Sequence, residues 1–88
     1  MHSAKVFIQN KLGMHARSAA MFVEMAGRFQ SRILIKKDDS EVNGKSIMGI
    51  MMLAAAKGTE LILHADGPDE VEAIENLSQL VNGKFGEE

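Results

Sequence analysis

The chain has 88 residues, 45% of them hydrophobic and 25% charged, with a net charge of −2. That composition describes one soluble globular domain, residues 1–88, whose elements share a single core. It has no cysteine, Tyr or Trp, which excludes disulfides, thiolate catalysis and cysteine zinc sites, and the lack of a basic stripe interleaved with aromatics argues against nucleic-acid binding.

"AKVFIQ" alternates, with Val6 and Ile8 on one face and Lys5 and Phe7 on the other, as in a first strand. His2 precedes it and is expected to be disordered. "ARSAAMFVEMAGRF" changes period: Ala19, Phe22, Val23, Ala26 and Phe29 form a helical stripe, and Gly27 suits its end. "SRILIK" is a second strand, "KDDS" a turn, and "EVNG" a short third strand ending in a turn signal.

"KSIMGIMMLAAA" reads as a second helix capped by Ser46, with Ile50, Leu53 and Ala54 facing the core. Met48, Met51 and Met52 cannot all face that core. An exposed apolar patch is therefore expected there. "TELILHA" is the fourth strand, with Leu61, Leu63 and Ala65 on its buried face and His64 on the other. Pro68 and the acids at 69, 70 and 72 open a third helix with the stripe Val71, Ile74, Leu77 and Val81, ending at Gly83.

The order βαββαβα fits a two-layer α+β domain, an antiparallel four-stranded sheet with three helices on one face. A split βαβ arrangement gives the strand order 1-4-2-3. No run reaches the ~18 apolar residues of a membrane span, and "MHSAKVFIQN" lacks a signal-peptide core, so a cytoplasmic protein is expected.

The chemistry concentrates in "LGMHARSAA". A helix starting at Ala16 puts His15 at its N-cap, where unpaired N–H groups and the helix dipole make an anion site. A neutral imidazole there is a nucleophile beside a phosphate cradle, formed by the backbone of Ala16, Arg17 and Ser18. Arg17 adds a guanidinium suited to phosphoryl oxygens. No carboxylate in this stretch repels an incoming phosphate. Spacing alone leaves three readings of His15: a structural or surface residue, an anion-binding or phosphorylated residue, or a metal ligand. The last lacks a ligand set.

"LGMHARSAAMFVE" together with "VNGKSIMGIMMLAAAKGTELILHADGPDE" resembles the histidine-containing phosphocarrier protein (HPr) family of the phosphoenolpyruvate-dependent sugar phosphotransferase system. The resemblance spans nearly the whole chain and implies the open-faced α+β sandwich of that family. It implies that His15 accepts a phosphoryl group from enzyme I, through Nδ1, and passes it to enzyme IIA in sugar uptake. Arg17 then stabilises the phosphate, and Ser46 is the regulatory serine that an HPr kinase/phosphorylase modifies in some bacteria. Partner docking falls on Met14, Ala20, Ile47, Met48 and Met51. The protein is then a monomeric carrier with no metal or cofactor of its own, an intermediate in transfer rather than an independent turnover enzyme.

One position departs from the family motif. The family has proline where this chain has Ser18, and Ser18→Pro is expected to stabilise by about 0.4–1 kcal/mol if the backbone already has proline's φ. Two rival functions accompany the carrier reading: a regulatory paralogue on the same fold, and a ligand-binding or dimerisation module with an incidental histidine.

Overall fold

Strand β1 runs over His2–Phe7 in the computed structural model, which describes residues 1–87. His2 is part of this strand and faces Ala65 in register, against the expectation of disorder. Six paired residues hold it there. The strands β2 (Arg32–Lys37), β3 (Ser40–Asn43) and β4 (Glu60–Asp66) complete an antiparallel sheet in the order β1-β4-β2-β3. The expected α+β architecture and strand order are therefore those of the molecule.

The alternation of β4 explains its central place. Leu61, Leu63 and Ala65 are fully buried under the helices, while Ile62 and His64 are half-buried on the open face. Ile33 and Ile35 of β2 face the same core. Helix α1 (Ala16–Ala26) buries Ala19, Phe22 and Ala26 against them. It ends at Gly27, and Phe29 lies beyond it in a tighter turn whose N–H reaches the Ala26 carbonyl.

Helix α3 (Glu70–Asn82) buries Ala73, Ile74, Leu77 and Val81. Ala73 takes the place expected for Val71, which stays half exposed. The Asp69 carboxylate does not cap this helix. It turns back to accept from the Ser31 hydroxyl and from the N–H groups of Ser31 and Gln30. The Ser31 hydroxyl, followed by the Gln30 N–H, holds Asp69 below the usual carboxylate range.

Helix α2 corrects the sequence reading. It covers only Ile47–Met51, and the chain then turns, with Ala54 at φ +51°. The turn lets Leu53 and Ala55 both enter the core while Ala54 is exposed. The freed backbone is used: Leu53 O accepts from Lys37 Nζ at 2.9 Å, and Ala55 O accepts from Met14 N–H at 2.7 Å. Core burial and these two bonds override the helix propensity of "LAAA".

Candidate functional site

The loop between β1 and α1 is braced at each turn. Ile8 N–H donates to Thr59 O and Gly58 N–H returns to Ile8 O. Asn10 is fully buried, and its Nδ2 donates to Gly13 O at 2.7 Å. Gly13 has φ +70°, and a Cβ there would sit 2.7 Å from Ala55 O. The turn therefore needs glycine, both for its conformation and for the close approach. Met14 then pairs its N–H with Ala55 O, and its side chain is buried at 8% exposure. Met14, expected in the docking surface, is therefore buried rather than exposed. It is part of the floor of the loop.

His15 caps α1 with extended backbone (φ −125°, ψ −175°). Its Nδ1 accepts from Arg17 N–H at 3.3 Å, and its own N–H donates to Ser18 Oγ at 2.9 Å. Ser18 is fully buried, and its hydroxyl lies 3.2 Å from both Gly13 O and His15 O. In place of the family's proline, Ser18 offers a hydroxyl open either to contact a phosphate or to cap the turn. Its hydroxyl in fact closes a reciprocal cap with His15. Ser18→Ala should lower stability by about 1 kcal/mol, or roughly 4–8 °C in Tm. A calorimetric scan reads this directly. Ser18→Pro loses the same bond and gains only backbone stiffness, so its expected net effect is near zero rather than a gain.

His15 and Arg17 line one shallow hollow with Lys11, Leu12 and Glu87. Arg17 and the neighbouring Ala16 are exposed, and His15 is partly so. Among the described residues no group of three or more His, Cys, Asp or Glu could hold a metal ion.

Lys11 and Glu87 escaped the sequence reading. Glu87 Oε2 lies 2.9 Å from His15 Nε2, so a carboxylate does stand beside the ring, against expectation. The contact comes from the other end of the chain, which no local pattern around His15 could reveal. Phe85, an isolated aromatic after the last helix, was the available signal that the tail packs. The His15 ring and then the Asn10 amide hold the Glu87 carboxyl below its ordinary range.

Ser46 is the N-cap of α2, and its Oγ accepts from Gly49 N–H at 3.1 Å. Ile47, Met48, Met51 and Met52 are exposed by 41, 75, 43 and 80%. Helix α2 packs on α1, where Ala20 is exposed. Four of the five expected docking residues therefore lie on the surface.

The chain is a small α+β sandwich whose first helix is capped by a partly exposed histidine. The family model for the PTS HPr component phosphorylation site matches residues 2–83. The phosphocarrier protein HPr of Neisseria meningitidis is 54% identical over 99% of this chain and 98% of its own length. HPr from Thermoanaerobacter tengcongensis superposes with a TM-score of 0.96 at 50% identity, covering 100% of this chain and 99% of that one. A structure described as a dimer of that HPr gives 0.79 at 49% identity, covering 99% and 100%. The HPr-like protein Crh of Bacillus subtilis, also described as catabolite repression HPr, is 49% identical over 92% of this chain and 95% of its own length. The chain belongs to the HPr family, the phosphocarrier proteins of the phosphotransferase system.

Proposed function

We propose that this chain, one domain over residues 1–88, carries a phosphoryl group on His15. It receives the group from enzyme I, charged by phosphoenolpyruvate, and delivers it to enzyme IIA in sugar uptake in the cytoplasm. The observation that carries this reading is the His15 ring at the N-cap of α1, partly exposed, beside an exposed Arg17 in one hollow.

The cradle needs little rearrangement. Arg17 N–H reaches Nδ1 at the long distance of 3.3 Å. A phosphoryl oxygen arriving at Nδ1 takes over that N–H, with those of Ala16 and Ser18 beside it in the first turn. The partners supply the remaining groups, so the carrier contributes position and electrostatics. A monomeric working unit is part of this reading. Incubation with enzyme I and phosphoenolpyruvate tests the reading. Acid-labile phosphate mapped to His15 by mass spectrometry is expected, and an unlabelled protein overturns it.

Arg17 is assigned to the phosphate. A charge-assisted hydrogen bond contributes about 1.5–3 kcal/mol, and 1.4 kcal/mol is about a decade in rate. Arg17→Ala should therefore slow transfer by about ten- to a hundredfold in stopped-flow assays, with the circular dichroism spectrum unchanged. Wild-type kinetics would remove Arg17 from the site.

Docking is assigned to Ala20, Ile47, Met48 and Met51. The methionines give this surface the adaptability that two successive partners require. Ser46 lies at its edge and is proposed as the residue modified by an HPr kinase/phosphorylase. A phosphate there adds roughly two negative charges beside an apolar contact. Ser46→Asp should weaken enzyme I binding and slow His15 phosphorylation at sub-saturating protein. Equal rates would return Ser46 to a helix cap alone.

The likeness to Crh favours a second reading, a regulatory member of the family. The carrier reading expects phospho-His15 to discharge onto an enzyme IIA. The regulatory reading expects the label to remain.

A further inference from the structure

We propose that Glu87 is a positioning residue for the phosphoryl acceptor: its carboxylate holds the Nε2–H of His15 and leaves Nδ1 as the nucleophilic nitrogen. This rests on the phosphocarrier reading of His15 and adds a residue to it.

Two bonds fix the ring. Nδ1 accepts from Arg17 N–H at 3.3 Å, so Nδ1 carries the lone pair. Nε2 therefore carries the proton and donates it to Glu87 Oε2 at 2.9 Å. Which nitrogen of an imidazole can react is set by the bond the other one makes. Here that second bond is made by a charged acceptor.

The carboxylate is itself held. Its Oε1 accepts from Asn10 Nδ2 at 3.0 Å, and the same amide group donates to Gly13 O at 2.7 Å. Asn10 is fully buried, so one rigid side chain braces both the turn before His15 and the carboxylate behind it.

The chain reaches this position through an unusual path. After α3, Lys84, Phe85 and Gly86 have φ values of +60°, +56° and +76°. Two of these are not glycine, and such strain persists only where the surroundings enforce it. The enforcing contact is Phe85, which is 2% exposed and packs into the core. Its anchoring turns the chain back so that Glu87 meets His15, which lies 72 residues earlier in sequence.

The chemistry gains in two ways. In transfer, the Nδ1 lone pair forms the N–P bond while the donor's bond to phosphorus breaks, its electron pair leaving with the donor. Nε2 keeps its proton, and the ring acquires a unit positive charge. Glu87 stands on the far side of the ring from the arriving phosphate, where it stabilises that charge and preserves the orientation. A carboxylate that orients an imidazole in this way acts without accepting the proton.

The test compares Glu87→Ala and Glu87→Gln with the wild type by two measurements. The first is the ¹⁵N spectrum of the neutral His15 ring, which reports the protonated nitrogen. The second is the rate of phosphorylation by enzyme I and phosphoenolpyruvate. Wild type is expected to show the proton on Nε2 alone. Glu87→Ala should give a mixture of tautomers and a rate about tenfold lower, comparable to losing one charge-assisted bond. Glu87→Gln keeps a carbonyl acceptor and should restore the single tautomer, with a rate between those of Glu87→Ala and the wild type because the charge is lost. An unchanged rate in Glu87→Ala overturns the proposal, as does a slower rate with the tautomer unmoved. Failure of His15 in the wild type to take label overturns the carrier reading instead, while the ¹⁵N spectra still score the contact.

Discussion

His15→Ala is expected to take up no acid-labile phosphate from enzyme I and phosphoenolpyruvate, while the domain stays folded. The chain has three histidines, and their settings differ. His15 caps α1, with Nδ1 toward a free helix end and Arg17 in the same hollow. His64 lies in β4 between Ser3 and Leu34, and its Nδ1 is buried with no partner among the described residues. A phosphoryl group there would meet neighbouring side chains and no helix dipole. His2 is exposed in β1, opposite Ala65, and caps no helix. Only His15 combines access with a cradle. Removing the ring also removes a cap acceptor, a loss of about 0.5–1 kcal/mol and so roughly 2–8 °C in Tm. Radiolabel or intact mass before and after mild acid reads the first effect, and calorimetry the second. Acid-labile label persisting in a folded His15→Ala protein would sink the assignment.

The region around His15 was legible because its signals are local. A glycine, a polar capping residue and an alanine-rich amphipathic stripe follow one another within a few residues, and the fold honours each. The strand order was legible for a related reason: four alternating segments and three one-sided helices leave few ways to bury every apolar face. What escaped depended on contacts distant in sequence. Met14 looked like a surface neighbour of the histidine, yet Ala55 O takes its N–H and draws the side chain inward. "LAAA" looked helical, yet burying both Leu53 and Ala55 requires a turn at Ala54. Glu87 carried no periodic signal at all. Its place follows from Phe85 filling the core across a left-handed turn, and no short window of sequence contains both partners.

Gly13→Ala should be among the most damaging single substitutions outside the main core, with about 2–5 kcal/mol of stability lost. Two costs combine. A non-glycine residue at φ +70° sits in the left-handed region, which costs roughly 1–2 kcal/mol. Its Cβ would also stand 2.7 Å from Ala55 O and 3.0 Å from Ala56 Cα, both backbone atoms that no rotamer change can move. Forcing them apart costs about 1–3 kcal/mol. A domain of this size has only about 4–13 kcal/mol in total. The displaced turn carries the Met14–Ala55 bond and the Asn10–Gly13 bond, each 2.7 Å, so the His15 ring shifts with it. A misplacement of about 1 Å can slow a transfer by about a hundredfold. Gly58→Ala separates the two costs. Gly58 has φ +91° with none of the described residues within 4 Å of the added Cβ, so it carries the conformational cost alone. Urea unfolding of both variants should show Gly13→Ala less stable than Gly58→Ala by about 1–3 kcal/mol, the contact contribution. Only Gly13→Ala should also lose phosphorylation rate. Equal midpoints and equal rates in the two variants would mean that the β1–α1 loop does not press against Ala55, and that the histidine is not held by that contact.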